Sequence, residues 1–242
     1  LHEPYRRQRQ MCIRDSYRCN RMKNIIYCDF DGTITKEDTL RKFFTLFTGD
    51  KWLEAEQLWI EGQINSQECL ISELNLIKNI SPKEMEEFLE TIEIDEYFCE
   101  FYKFIKNRNY DFVILSDGFD LFIESVLKRY NLSDILFYSN ALKLNHNKLS
   151  VSFPNSNPNC LRSSGTCKCS KITRPDFYYI GDGVSDVCIA KKAQTLFAKH
   201  NLKKYCDENK IDYVSFKSFK DILNYFADRG GFNAKVEGIR IR

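Results

Sequence analysis

The sequence predicts an α/β fold, a mostly parallel sheet flanked by helices, with an all-helical segment inserted near its beginning. Three observations support this prediction. Short apolar runs stop at polar, glycine-bearing turns, helical periodicity lies between the runs, and one long stretch has helix signals without a convincing strand. The 242 residues, of which 43% are hydrophobic and 29% charged, can bury one large core, which excludes wholesale disorder, collagen-like repeats and a coiled coil.

Three apolar runs have the length and composition of buried parallel strands, at residues 25–28, 112–115 and 177–180. Between them, apolar side chains recur at i, i+3, i+4 and i+7 over residues 98–105 and 119–126, which predicts helices. This alternation favours a Rossmann-like sheet. In such sheets ligands bind at the carboxyl ends of the strands.

The stretch without strands is predicted to be a helical cap at residues 36–96. Apolar stripes at helical spacing cover residues 40–47 and 85–92, and capping-box patterns begin at Asn65 and Ser81. The aromatic side chains of the stripes could form the cap's own core or line a ligand site. We favour the core, because aromatic side chains at helical spacing are usually buried.

The cap divides a core that we predict to comprise residues 23–35 and 97–227. Residues 1–22 carry a net charge of +4, so the rest of the chain carries −2 of the total of +2. Two interpretations of this basic segment stay open: an arm that touches nucleic acid, or a disordered or non-native leader, which we favour. Residues 228–242 are expected to be a flexible tail. The nearly neutral body gives no reason to expect a nucleic-acid partner.

The sequence contains no apolar stretch of about 18 residues and no apolar segment behind its N-terminal basic residues. We therefore predict neither a membrane span nor a secretory signal, and expect a cytoplasmic protein. The ten scattered cysteines then favour reduced thiols. Cys160, Cys167 and Cys169 suggest a zinc site that lacks an obvious fourth ligand, so reduced loop thiols are the alternative. Nothing in the sequence indicates the oligomeric state.

Side chains that could take part in catalysis or bind a metal ion follow three predicted strands. They are Asp29 and Asp31 after the first, Ser116 and Gly118 after the second, and Asp182 and Asp186 after the third. Carboxylates crowded at one edge repel each other unless a proton or a cation intervenes. Mg²⁺ prefers hard oxygen ligands and substrate phosphate, which suits Asp29, Asp182 and the Asp31 carbonyl. Asp186, four residues after Asp182, faces back toward the same site and completes the predicted ligand set.

The motifs resemble those of the haloacid dehalogenase-like (HAD) phosphatases, in the branch that includes phosphoserine phosphatase. The string DFDGT at residues 29–33, a serine at the end of the second strand, a downstream lysine and GDGVSD at residues 181–186 carry the resemblance. It extends from about residue 23 to residue 220. It implies a HAD fold, the cofactor Mg²⁺ and a small phosphorylated metabolite as substrate.

The resemblance also implies residue roles. Asp29 is the nucleophile that accepts the phosphoryl group, and Asp31 is the general acid that later activates water. Thr33, Ser116 and the backbone of Gly118 hold phosphate oxygens. These roles fit the physical chemistry, because a carboxylate attacks phosphorus only where cationic groups neutralise the phosphoryl oxygens.

Two lysines compete for the cationic role. Lys168 follows Gly165, Thr166 and Cys167, which is similar to the entry to the third motif in one branch of the family. We therefore choose Lys168 over Lys171 as the residue that balances the transition-state charge and binds phosphate. Asp182 comes only 14 positions after Lys168, fewer than the family usually has, so the helix between them is predicted to be truncated to about two turns.

Two other function classes stay open from the sequence. One is a phosphate-accepting or binding module without turnover, and the other is a degenerate homologue that binds phosphate weakly. The predicted cap and the second carboxylate two residues after the first favour a hydrolase, because a hydrolase needs both a lid and a general acid.

Overall fold

The structure is a computed structural model that describes residues 24–160 and 162–228. The predicted leader, and all of the predicted tail except its first residue, lie outside this range. The strands are β1 (Ile25–Cys28), β2 (Asp111–Phe119), β3 (Leu136–Asn145), β4 (Lys148–Ser152), β5 (Tyr178–Gly181), β6 (Thr195–Ala198) and β7 (Val214–Ser215). They form one sheet in the order β4-β3-β2-β1-β5-β6-β7, in which only β3 and β4 pair antiparallel.

The helices lie between the strands, as the periodicity predicts. They are α1 (Thr39–Thr48), α2 (Leu53–Ile60), α3 (Ser66–Leu76), α4 (Pro82–Glu90), α5 (Phe98–Asn107), α6 (Asp120–Arg129), α7 (Val187–Ala190), α8 (His200–Asn209) and α9 (Phe219–Asp228). Short 3-10 turns occupy Gly49–Trp52, Lys168–Lys171 and Val184–Asp186. Within the described residues, none of these helices has the length and apolar character that a membrane crossing requires.

Both faces of the sheet are buried at β1, β2 and β5, which explains why these strands contain continuous apolar runs. Successive residues of a strand point to opposite faces. On β1, Ile26 and Cys28 join the larger hydrophobic cluster, whereas Ile25 and Tyr27 join a second cluster on the other face. Helices α5, α6 and α9 contribute to the first cluster, and α7 and α8 to the second. The predicted α/β class is confirmed.

The chain between β1 and α5 forms four helices and no strand of the sheet. The capping boxes predicted at Asn65 and Ser81 are both present. Four aromatic side chains of this segment are buried, Phe43, Phe44, Trp52 and Phe88. They also contact the core: the ring of Phe122 on α6 lies 5.2 Å from that of Phe43 and 5.1 Å from that of Phe88. The helical segment therefore packs firmly on the sheet domain.

The predicted two-turn helix between Lys168 and Asp182 is wrong. The structure has only the 3-10 turn Lys168–Lys171 there, followed by irregular chain to β5. Ile172 already has an extended backbone, with ψ of 114°. Pro175 follows three residues later, and it lacks an amide donor and disfavours helical geometry in the residue before it. The local sequence therefore cannot continue the turn as a helix.

Candidate active site

The order of the strands brings the predicted site residues together. β1 lies between β2 and β5, so the residues that follow these three strands meet at one edge of the sheet. The amide of Asp29 donates to the carbonyl of Ile180 at 2.9 Å and extends the β1–β5 pairing to the edge. Carboxylate oxygens of Asp29, Asp182 and Asp186 lie within 4.8 Å of one another.

Lys168 is the cation of this cluster. Its Nζ lies 2.8 Å from Asp29 Oδ1 and 2.7 Å from Asp186 Oδ1, and the residue is only 2% exposed. Burial alone would lower the pKa of Lys168, but Asp186 and Asp29 outweigh it and raise the pKa above its usual value, so the ammonium stays charged. Lys171 instead holds its Nζ 4.8 Å above the ring of Tyr138. The structure thus brings Lys168, and not Lys171, to the acidic cluster.

Asp186 is fully buried and accepts four hydrogen bonds. Its Oδ1 accepts from Lys168 and, at 2.5 Å, from the hydroxyl of Tyr179. Its Oδ2 accepts from the amides of Asp182 and Gly183 at 3.1 and 3.0 Å. A carboxylate offers about four lone-pair positions, so these donors occupy its capacity. The arrangement suits a residue that holds Lys168 and the loop around Asp182 in place, and the metal-ligand role expected for Asp186 stays a prediction.

Asp29 and Asp182 fit the hard-oxygen ligand set that Mg²⁺ requires. Burial and the charge of Asp186 raise the pKa of both carboxyl groups, so crowded negative charge here favours a bound cation. Asp182 Oδ1 accepts from the Thr33 hydroxyl at 3.0 Å, which orients the carboxylate. Gly32 has φ of +68°, and a Cβ atom there would lie 2.7 Å from Asp182 Oδ2. The loop can therefore approach Asp182 only because residue 32 is glycine.

Asp31 lies in a separate hydrogen-bonding environment. The Ser116 hydroxyl donates to its Oδ2 at 2.8 Å, and the Thr39 hydroxyl donates to its Oδ1. Burial and the nearby charge of Asp38 raise the pKa of Asp31 to about 6, although the two hydroxyl groups oppose this shift. A group with this pKa can hold a proton for a leaving group and accept one from water near neutral pH.

The structure gives the predicted phosphate-binding residues other partners. The hydroxyl groups of Thr33 and Ser116 bond to Asp182 and Asp31, and both residues are fully buried. The amide of Gly118 donates to the Ser116 hydroxyl at 2.8 Å. These residues position the acidic side chains in this state, and their contact with phosphate stays a prediction.

Sequence reasoning missed several residues that contact the site, among them His200, whose Nδ1 lies 3.3 Å from Asp182 Oδ2. Thr39 begins the first helix of the inserted segment, Tyr179 precedes the acidic loop by three residues, and Lys199 follows β6. Lys199 is 8% exposed, and its Nζ lies 3.5 Å from the carbonyl of Thr33. Lys199 had a usable signal, because it directly follows an apolar run as Asp29 does. Tyr179 and Thr39 carried no such signal. Tyr179 lies within an apolar strand and Thr39 lies at the start of a helix, and residues at such positions usually have structural roles.

Four of the described cysteines form contacts in pairs. Cys160 contacts Cys167, and Cys169 contacts Cys188 on α7. Over residues 24–160 and 162–228, the acidic cluster is the one group of three or more side chains close enough to share an ion. All eight cysteines of that range are free thiols. The loop cysteines therefore give no support to the zinc interpretation.

Comparisons with known proteins agree with this geometry. The family model for haloacid dehalogenase-like hydrolases matches residues 26–191. A 2-hydroxy-3-keto-5-methylthiopentenyl-1-phosphate phosphatase of Bacillus mycoides (strain KBAB4) is 32% identical over 205 residues, which cover 82% of this chain and 93% of that protein. A protein of the same name from Bacillus cereus (strain ATCC 10987 / NRS 248) is 32% identical over 206 residues, 82% of this chain and 94% of its own length.

Solved structures show the same fold. A phospho-aspartyl intermediate analogue of phosphoserine phosphatase superposes with a TM-score of 0.63 at 22% identity, over 84% of this chain and 98% of that one. A substrate-bound phosphoserine phosphatase superposes with a TM-score of 0.62 at 21% identity, over 85% and 99% of the two chains.

Proposed function

Because the chain belongs to the haloacid dehalogenase-like hydrolase family and is a phosphatase, we propose that it hydrolyses a small phosphomonoester through an aspartyl-phosphate on Asp29. The observation that carries this proposal is the buried contact of 2.8 Å between Asp29 and Lys168. An ammonium group at this position can neutralise phosphoryl oxygens while the carboxylate attacks phosphorus.

In the first step, a carboxylate oxygen of Asp29 attacks the phosphorus, and the bond between phosphorus and the ester oxygen breaks. Asp31 transfers its proton to that oxygen and releases the alcohol. Lys168 faces the charge that builds on the phosphoryl group. Ser116 and Thr39 hold the Asp31 carboxyl in place, because each donates to one of its oxygens.

In the second step, water attacks the phosphorus of the aspartyl-phosphate. Asp31, now ionised, takes a proton from that water, the bond between phosphorus and the Asp29 oxygen breaks, and inorganic phosphate leaves. The same carboxyl group thus serves as acid and then as base, which fits a pKa of about 6.

We propose that Asp29, Asp182 and the carbonyl of Asp31 hold Mg²⁺. The bound ion would supply a positive charge beside the phosphoryl oxygens, which two acidic side chains would otherwise repel. We assign Asp186 to positioning, because its oxygens already accept four hydrogen bonds.

We propose that residues 36–96 act as a cap that covers the substrate and excludes bulk water. The antiparallel bridge between Thr35 and Ile94 closes the neck of this segment. The names of the relatives support 2-hydroxy-3-keto-5-methylthiopentenyl-1-phosphate, of methionine salvage, as the substrate. A phosphoserine phosphatase-like activity is the alternative, which rests on fold alone.

Phosphate release tests the proposal. Purified protein with Mg²⁺ is given p-nitrophenyl phosphate, the methionine-salvage enol phosphate and phosphoserine in parallel, and each assay is repeated with EDTA. We expect hydrolysis that EDTA abolishes, with the highest kcat/KM for the enol phosphate. Stable phosphorylation of the protein without phosphate release would instead indicate a phosphate-accepting module.

A further inference from the structure

The chain that leads to Lys168 is buried although it forms neither helix nor strand. Residues 164–167, here called the lysine loop, lie between β4 and the 3-10 turn that begins at Lys168. Thr166 is fully buried and Cys167 is 5% exposed. Buried backbone groups of an irregular segment need hydrogen-bond partners from elsewhere in the protein. The partners of the lysine loop therefore determine where Lys168 lies.

Asp117, at the end of β2, binds the lysine loop through its carboxylate. Its Oδ1 accepts from the amide of Thr166 at 2.7 Å. A hydrogen bond from a backbone amide to a carboxylate is strong, because the acceptor carries a charge. The Asp117 charge also raises the pKa of Lys168, so the two side chains lie within electrostatic range of each other. Asp117 directly follows Ser116, whose hydroxyl group donates to Asp31, so the end of β2 connects the proposed general acid with the lysine loop.

Asn140 on β3 joins Asp117 to the lysine loop. Its Nδ2 donates to the carbonyl of Asp117 at 2.6 Å, and its Oδ1 accepts from the Thr166 hydroxyl at 3.3 Å. Asn140 is only 1% exposed, so these contacts are shielded from water. A Cβ atom at Gly165 would lie 2.3 Å from Asn140 Oδ1, so the loop can pack against this amide only because residue 165 is glycine. The lysine loop is therefore fitted closely to the ends of two strands.

Asn155, which follows β4, completes the attachment. Its carbonyl accepts from the amide of Cys167 at 3.0 Å, and its Nδ2 donates to the carbonyl of Ser139 on β3 at 2.8 Å. The two backbone amides directly before Lys168, those of Thr166 and Cys167, thus have partners that are attached to the sheet.

We propose that Asp117 and Asn140 are positioning residues that hold Lys168 at the acidic cluster, where the chain has no helix to do so. The inference rests on the proposed phosphatase function, in which Lys168 faces the charge on the phosphoryl group. The turn Lys168–Lys171 has four residues, too few for a helix that is stable on its own. A displacement of about 1 Å at a reacting centre can cost about 100-fold in rate. Contacts that fix the lysine loop should therefore affect catalysis as well as stability.

A double-mutant cycle tests whether Asp117 acts through Lys168. The kcat/KM for p-nitrophenyl phosphate with Mg²⁺ is measured for the wild type, Asp117→Ala, Lys168→Ala and the double variant. If Asp117 acts through Lys168, its removal matters only while the lysine is present. A residue that merely stabilises the fold would lower kcat/KM by the same factor in both backgrounds. Asn140→Ala gives a second, independent cycle with Lys168→Ala.

We expect Asp117→Ala to lower kcat/KM about tenfold or more in the wild-type background and less than about twofold in the Lys168→Ala background. Asn140→Ala should show the same pattern. Asp117→Asn keeps an oxygen that can accept from the Thr166 amide, so it should recover most of the activity that Asp117→Ala loses. An Asp117→Asn protein as impaired as Asp117→Ala would contradict attachment through this hydrogen bond.

Asp120→Ala is the matched control for the loss of a carboxylate that binds a backbone amide. Asp120 Oδ1 accepts from the amide of Leu142 at 2.8 Å and joins α6 to β3 without contacting the lysine loop. We expect this variant to keep kcat/KM within about threefold of the wild type, even where its Tm falls. A loss as large as that of Asp117→Ala would contradict a specific role of the lysine loop contacts.

The failure of this inference can be distinguished from the failure of the proposed function. If the wild type hydrolyses p-nitrophenyl phosphate but Asp117→Ala and Asn140→Ala lower kcat/KM equally with and without Lys168, the positioning role is wrong while the phosphatase proposal stands. If the wild type releases no phosphate, both proposals fail. Thermal unfolding of each variant shows whether it is folded, and the cycle that uses folded variants decides.

Discussion

Single side chains at the strand ends explain most of the chemistry. Asp29, Asp31 and Asp182 could be predicted from the sequence, because each follows an apolar run and such runs end at one edge of a parallel sheet. The positions of Thr39 and Tyr179 could not, since their hydroxyl groups reach Asp31 and Asp186 only through tertiary packing.

Replacing Lys168 tests the assignment of the cation. Lys168→Ala should lower kcat/KM for p-nitrophenyl phosphate by about 100-fold or more, because the phosphoryl oxygens lose their buried positive charge. Lys171→Ala is the matched control and should retain activity within about threefold, since Lys171 contacts the ring of Tyr138 instead. Equal losses of kcat/KM in the two variants would contradict the choice of Lys168 over Lys171.

The dependence of the rate on Mg²⁺ concentration tests whether Asp182 is a metal ligand and whether Asp186 is a positioning residue. Asp182→Asn should raise the Mg²⁺ concentration for half-maximal rate by about tenfold or more, because a ligand loses its charge. Asp186→Asn should lower kcat without that shift, since Asp186 holds Lys168 by a contact of 2.7 Å. A shift as large in Asp186→Asn as in Asp182→Asn would identify Asp186 as a ligand.

Among the elements, strands β1, β2 and β5 and the two helices with capping boxes were predicted, whereas the segment after Lys168 was not. Apolar runs and capping boxes are local signals, and the structure has them where the sequence places them. The conformation of the segment after Lys168 depends instead on tertiary contacts, because the Lys168 side chain has to reach Asp29 and Asp186. The chain makes one 3-10 turn, which suffices to bring Lys168 to Asp29 and Asp186. Family spacing suggested a helix that Pro175 and the short connection do not permit.

The end of β5 gives a prediction about packing. A methyl group at Gly181 would overlap Asp186 Oδ2, whereas one at Gly183 would meet no atom closer than 3.9 Å. Gly181→Ala should therefore lower the free energy of unfolding by about 1–3 kcal/mol, and Gly183→Ala should stay within about 0.5 kcal/mol of the wild type. Urea unfolding measures the free energy of unfolding of each variant. Similar values for the two would contradict the prediction and show that the Asp186 side chain can move away from residue 181 at little cost.

In the whole molecule, one aromatic cluster joins the inserted helices to the sheet domain. The rings of Phe43 and Phe88 contact that of Phe122, so the predicted cap shares its core with α6. The sequence analysis favours the cap's own core for these side chains. They are buried, but in a core shared with α6, because periodicity identifies a buried face and not its partner. The boundaries proposed for the cap stay a prediction.

The buried Glu73 should make stability depend on pH. Its pKa is raised from 4.5 to about 8 in the folded protein, so between these values the unfolded chain has released a proton that the folded protein retains. The free energy of unfolding therefore falls as pH rises from 4.5 to about 8, by at most about 1.4 kcal/mol per pH unit from this group. Urea unfolding of Glu73→Gln should show an advantage over the wild type that grows from pH 5 to pH 8. A constant difference would contradict a raised pKa.

The covalent step on Asp29 is most directly tested by mass spectrometry of Asp31→Asn mixed with p-nitrophenyl phosphate and Mg²⁺. Nitrophenolate leaves without a general acid, whereas hydrolysis of the aspartyl-phosphate needs Asp31 as base, so the intermediate should accumulate. We expect a burst of one nitrophenolate per protein and one phosphoryl group on the peptide that contains Asp29, both absent in Asp29→Asn. Turnover by Asp29→Asn at the wild-type rate, or a phosphoryl group on another residue, would contradict the account.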